Sequence, residues 1–269
     1  MKISTLNINS VNAHLPAFLS WLQAQAPDIV LLQEIKTEYN NFPFLELNAL
    51  GYQAALVGQK SYNGVAVLSK YPLEVTAESL PEAADFGARY IEALVFAPTH
   101  PISVASVYMP NGNPVTEPQG QKTEKFKAKL SFMSAFYKYV QKRLLSNERM
   151  VFGGDFNVIL TPNDVYNPTL FEGNALYLPM VQKRLKALEY LGLTDAFRAL
   201  DKTSNGYTYF DYGKAFEQDF GLRIDYLYLS PAMADGLISV AVDKSLRAAP
   251  KTSDHAPLTA EFHFPETLF

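Results

Sequence analysis

The sequence predicts an α/β fold in which β-sheets pack face to face and helices cover them from outside. Three observations predict it. Short apolar runs of strand length recur from the first residues to the last. Helical segments are few and do not alternate strictly with the strands. No low-complexity linker and no fixed-period repeat divides the 269 residues, so one domain spanning 1–269 is expected. A hydrophobic content of 48% is enough to build a substantial core.

Residues 2–8 alternate like a half-buried strand. A helix is expected over 14–25, with Leu15, Phe18, Leu19 and Leu22 on one face and Pro27 to stop it. Residues 28–33 (DIVLLQ) form an apolar run that ends at Glu34. Residues 64–68, 90–96 and 102–108 read as strands punctuated by Gly and Pro. A long helix is expected over 119–146. An apolar strand at 150–157 breaks into a polar loop, and a second helix runs over 177–191 to Gly192. Strands return at 206–210, 222–229, 237–242 and 257–263.

The chain has no cysteine, which excludes disulfides and thiolate metal sites. MKISTLNINS lacks the apolar stretch of a signal peptide or membrane span, and a cytoplasmic location is expected. Net charge is -4 and the pI is near 5.6, mildly against a nucleic-acid binder. That average hides a crowd of cations (Lys122, Lys125, Lys127, Lys129, Lys138, Lys142, Arg143) on the long helix. Most of them are expected to form a solvated face.

Acidic, amide and imidazole groups stand at or beside the apolar runs, as if strand ends converge on one mouth. Glu34 at such an end suits magnesium, which takes one or two carboxylates and keeps several waters; a solvent-facing loop Glu is the alternative. In GGDFN (153–157), two glycines permit close backbone approach. Asp155 and Asn157, two apart, can point the same way. A carboxylate beside an amide can orient a water and take its proton. His255 is the side chain most easily set for proton transfer near neutral pH. Asp225, inside an apolar strand, needs a partner, and His255 or Arg223 could supply it. Tyr108 and Asn111 could reach a phosphate oxygen or be ordinary turn residues. Tyr209, Phe210 and Leu222 could line an apolar pocket or be core.

Together the segments LNINS (6–10), PDIVLLQEIK (27–36), GQKSYNGVAVLS (58–69), YMPNGNP (108–114), GGDFNV (153–158), GLTDAFRA (192–199), YTYFDY (207–212), GLRIDYLYLS (221–230) and TSDHAPL (252–258) resemble the exonuclease III family of AP endonucleases, within the endonuclease/exonuclease/phosphatase superfold. The resemblance covers nearly the whole chain. It implies a four-layered α/β sandwich, with two mixed sheets face to face and helices outside.

It also implies a Mg2+ or Mn2+ ion at Glu34, with Asn7, Asp155, Asn157, Asp254 and His255 around it. Asp155 would be the general base. Asn157 would hold the attacking water, and His255, oriented by Asp225, would stabilise the pentavalent phosphate. Tyr108 and Asn111 would contact the scissile phosphate. Tyr209, Phe210 and Leu222 would receive a turned-out abasic sugar, and Lys60 and Tyr62 would meet DNA phosphates.

The implied activity is repair of double-stranded DNA: cleavage 5′ to abasic sites, 3′–5′ exonuclease action, or cleaning of damaged or recessed 3′ ends, by a monomer. A phosphatase of the same superfold acting on a phosphorylated small molecule is the alternative. Two departures stand out. Asn12 and His14 replace arginines usual in the family, and Tyr209-Phe210 replaces a Phe-Trp pair. Losing cations should weaken backbone binding and its salt dependence.

Overall fold

The computed structural model describes residues 1–264. Lys2–Asn7 and Ile29–Gln33 pair in parallel at the centre of a six-stranded sheet. Its spatial order is Leu237–Val242, Leu258–Phe262, Lys2–Asn7, Ile29–Gln33, Val65–Ser69, Gln53–Val57. A second six-stranded sheet runs Leu73–Ala77, Tyr90–Phe96, Pro101–Tyr108, Met150–Asp155, Asp225–Leu229, Thr194–Asp195. Pro101–Tyr108 and Met150–Asp155 are parallel and its other pairings antiparallel, so both sheets are mixed, as expected.

The sheets face one another across Ile3, Leu31, Val67, Ile91, Val104, Val151, Leu227 and Ala260. A second apolar layer joins the outer face of the second sheet to the helices Glu124–Arg143 and Pro179–Tyr190. A third joins the first sheet to Leu15–Gln25 through Phe18, Trp21, Leu22, Val30 and Leu68. Four layers result, because the central strands are buried on both faces and both faces must be covered.

The helix Leu15–Gln25 stops two residues before Pro27; Ala26 between them takes a left-handed backbone and its N–H donates to Leu22 O. The expected helix over 119–146 is shorter, Glu124–Arg143. Pro118 and Gly120 hold the preceding residues in a turn, and Thr123 caps the helix by accepting from Phe126 N at 3.0 Å. The second helix is Pro179–Tyr190.

The expected strand at 222–229 is split. Gly221–Leu222 pairs with Tyr209–Phe210 as a separate two-stranded ribbon, and Asp225–Leu229 stays in the second sheet. Gln53–Val57 and Leu73–Ala77 carried no clear signal, since edge strands are partly exposed and need no continuous apolar run.

One polar plug ties the two sheets just below the mouth. Gln33 is fully buried and its Nε2 donates to Ser106 Oγ at 2.9 Å, while that hydroxyl donates to Leu32 O at 2.7 Å. A satisfied buried network of this kind fixes the register of one sheet against the other.

Candidate active site

Strand register brings three side chains into one row. Asp155 pairs with Tyr108 on its parallel neighbour and with Asp225 on its antiparallel neighbour. Paired residues share a face, so all three converge at one end of the second sheet. Asn7 and Gln33 close the facing strands of the first sheet at the same end. Glu34 follows in a left-handed backbone, with φ near 50°, which turns the chain sharply after the strand.

Gly154 explains the paired glycines before Asp155. A Cβ there would fall 1.8 Å from Val107 O on the neighbouring strand. Only glycine lets the two backbones lie so close, and their closeness sets Asp155 beside Tyr108.

Asp155 is the hub. Its Oδ1 accepts from Asn157 N at 2.9 Å. Its Oδ2 accepts from Asn7 Nδ2 at 3.0 Å and Asn157 Nδ2 at 3.1 Å. Burial and the facing Asp225 carboxylate raise its pKa, with His255 opposing them. His255 Nδ1 lies 2.8 Å from Asp225 Oδ2, and its Nε2 lies 4.0 Å from Asp155 Oδ2. Burial alone would lower the imidazole pKa; the carboxylates of Asp225, Asp155 and Asp254 outweigh it and raise it. Arg223, the other candidate partner of Asp225, points elsewhere. It pairs with Asp164 at 2.7 Å and Asp195 at 2.8 Å.

Glu34 Oε1 accepts from Asn7 Nδ2 at 2.8 Å, and Oε2 pairs with Lys36 at 2.9 Å. Burial raises its pKa, but these donors outweigh burial and hold it low. Asn7 corrects one expectation. Its oxygen accepts from Asn9 N at 3.1 Å, so its NH2 faces Glu34 and Asp155. It ties two carboxylates together and offers no oxygen to a cation between them. A His255 held protonated likewise lends no lone pair to a metal.

The oxygens left are the carboxylates of Glu34, Asp155 and Asp254, with the Asn157 amide beside them, all lining one cavity. Among the described residues, no three His, Cys, Asp or Glu groups gather into a cage. The set fits a hard cation held by one or two carboxylates that keeps most of its water.

Tyr108 lines the cavity too, and Arg89 stacks on its ring at 4.6 Å. Burial, then Glu34 and Asp155, push its phenol pKa far up, so it remains a donor. Asn111 Nδ2 donates to Asn157 Oδ1 at 3.1 Å. Asp254 Oδ1 accepts from Asn9 Nδ2 at 3.1 Å.

Lys129 departs from the expected solvated face. It is fully buried, and its Nζ donates to Asn111 O at 3.0 Å and Asn157 O at 2.6 Å. Burial pushes its pKa down to about 7, with Asp155 pulling the other way. A Cβ on Gly112 would meet the Lys129 chain at 2.7 Å, so that glycine makes room for it. Helical spacing could have flagged Lys129, which lies three residues after Phe126 and three before Phe132, on the buried side.

The pocket residues divide. Tyr209 and Leu222 line the cavity, and the Tyr209 ring leans on His255 with centroids 5.0 Å apart. Phe210 does not belong there. Neighbouring strand residues face opposite ways, so Phe210 turns into the protein, fully buried, against Phe216 at 5.1 Å. Its place beside Leu222 is taken by Phe220, Tyr166, Phe171 and Ile224, which the sequence did not single out. Lys60 and Tyr62 sit on an exposed loop whose end bonds the backbone of Ile35 and Lys36, next to Glu34 but outside the cavity. The cavity measures about 650 Å3.

Residues 4–255 match the endonuclease/exonuclease/phosphatase family, and the chain belongs to it. It is a hydrolase of that family. It is 32% identical to exodeoxyribonuclease III of Haemophilus influenzae, over 97% of this chain and 100% of that one. Among solved structures it resembles an AP endonuclease from Archaeoglobus fulgidus, with TM-score 0.90 and 31% identity over 98% of this chain and 100% of that one. A 3′ phosphatase from Neisseria, bound to product DNA hairpin, has TM-score 0.89 and 36% identity over 98% of this chain and 100% of that one.

Proposed function

We propose that this chain is a Mg2+- or Mn2+-dependent phosphodiesterase of DNA repair. It cuts 5′ to abasic sites in double-stranded DNA, or trims and cleans 3′ ends. The observation that carries the reading is the convergence on Asp155 of Asn157 and Asn7, with the buried His255–Asp225 pair 4.0 Å away. The relatives named above as a nuclease, an AP endonuclease and a 3′ phosphatase support it. The enzyme is taken to be a cytoplasmic monomer of one domain. Size-exclusion chromatography checks the monomer.

Glu34 would hold the ion together with one of the carboxylates of Asp155 and Asp254, with Asn157 beside them. When bound, it supplies charge stabilisation for the leaving 3′-oxygen. Asp155 takes a proton from the attacking water. Asn157 orients that water. His255, kept protonated by Asp225, places positive charge where the phosphorane gains negative charge. Tyr108 donates to a non-bridging oxygen, and Asn111 does so from the loop after it. Tyr209 and Leu222 hold the sugar, while Lys60 and Tyr62 meet the backbone from the flanking loop.

The test is a gel assay with Mg2+ on end-labelled duplexes carrying an abasic site, a recessed 3′ end or a 3′-phosphate. Cleavage of at least one, stopped by chelator, is expected. Hydrolysis of an inositol phosphate with no attack on any duplex would overturn the DNA reading.

A further inference from the structure

The cavity has two unlike halves. One carries the carboxylates, amides and imidazole described above. The other is aromatic: Tyr166 and Phe220 come from distant segments and stack with centroids 4.7 Å apart and planes 16° apart. Phe171 meets the Tyr166 ring edge-on at 6.2 Å. Phe220 is 45% exposed, so the stack borders the opening rather than closing a core. Lys214 and Gln218 line the same half.

An abasic sugar or a bare phosphate has no flat face to set against such a stack. A nucleobase has one, and base–aromatic stacking is tolerant of sequence. About 650 Å3 leaves space for a base beside the sugar and phosphate.

We infer that Tyr166 and Phe220 form a shelf for the base of the nucleotide being released, so that the site takes a 3′-terminal nucleotide with its base intact. The inference rests on the phosphodiesterase reading above and narrows its substrate. Water adds to phosphorus and gives a proton to Asp155. The bond from phosphorus to the 3′-oxygen breaks, and that oxygen takes up a proton from solvent. A nucleoside 5′-monophosphate leaves.

The experiment compares two recessed duplexes, alike except that the 3′-terminal nucleotide of one lacks its base. In wild type, kcat/KM for the base-bearing end should exceed the other about tenfold, within the range that one stacked base supports. Phe220→Ala and Tyr166→Ala should each bring that ratio close to one, and Phe220→Trp should keep it. Both substrates are measured on one preparation, so any loss of folded protein cancels. Equal rates in wild type, or a ratio unchanged in both alanine variants, would overturn the shelf. Failure to cut any duplex would instead overturn the nuclease reading itself.

Discussion

His255 Nδ1 and Asp225 Oδ2 lie 2.8 Å apart, and both side chains are buried. That contact fixes the imidazole's orientation and turns Nε2 toward Asp155. Asp225→Asn keeps the shape but removes the charge that keeps the ring protonated. Steady-state kinetics should show kcat lower by roughly a hundredfold or more, with KM little changed. A variant within threefold of wild type would mean that the pair is only structural.

Lys129 is the buried lysine beneath the site, joining the backbones at Asn111 and Asn157. Lys129→Met has similar bulk but leaves two carbonyls without a donor, at roughly 1–3 kcal/mol each. The melting temperature should fall. At a temperature where circular dichroism shows the variant folded, kcat should still fall at least tenfold, because both loops carry side chains into the site. Full activity under those conditions would leave Lys129 a stabilising role alone.

Asp164 is fully buried between Arg223 and Arg198, at 2.7 and 2.6 Å. Burial would raise its pKa, but the arginines outweigh it and hold the carboxyl below its usual value. A lowered carboxyl pKa contributes stability above the unfolded value, about 3.9, which is lost as pH falls through the folded one. Asp164→Asn should therefore destabilise at pH 7 by about 3–5 kcal/mol. The gap between wild type and variant should narrow below about pH 4. Urea melts across that range check it; a gap independent of pH would contradict it.

Asn12 is exposed, and its Nδ2 donates to Asn41 O at 3.0 Å. Asn12→Arg supplies a cation that the family resemblance leads one to expect at this position, so it should steepen the salt dependence of duplex binding. The slope of log affinity against log salt should grow by about 0.9. Fluorescence anisotropy in an Asp155→Asn background measures it, and an unchanged slope would place Asn12 off the DNA path.

Ile29–Gln33 and Val65–Ser69 were legible because burial on both faces writes them as apolar runs, and the residues at the strand ends could be read as a site; Lys2–Asn7 read as half-buried because Ser4 and Thr5, both buried, break its apolar run. The spatial row of Tyr108, Asp155 and Asp225 was not, since register between distant strands leaves no local mark. Phe210 misled because a two-residue ribbon gives no alternation to show which neighbour faces in. Phe220 and Tyr166 were missed because each looks like a loop aromatic until the chain brings the two rings together. Lys129 was hidden by its charge: a lysine among lysines reads as solvated unless its helical phase is followed.

The most direct measurement is single-turnover cleavage of an end-labelled duplex, Mg2+ present, by wild type and Asp155→Asn at equal binding saturation. Wild type should cut and the variant should be slower by at least a thousandfold while still binding the duplex. A variant that cuts at close to the wild-type rate would show that the proton-accepting group lies elsewhere.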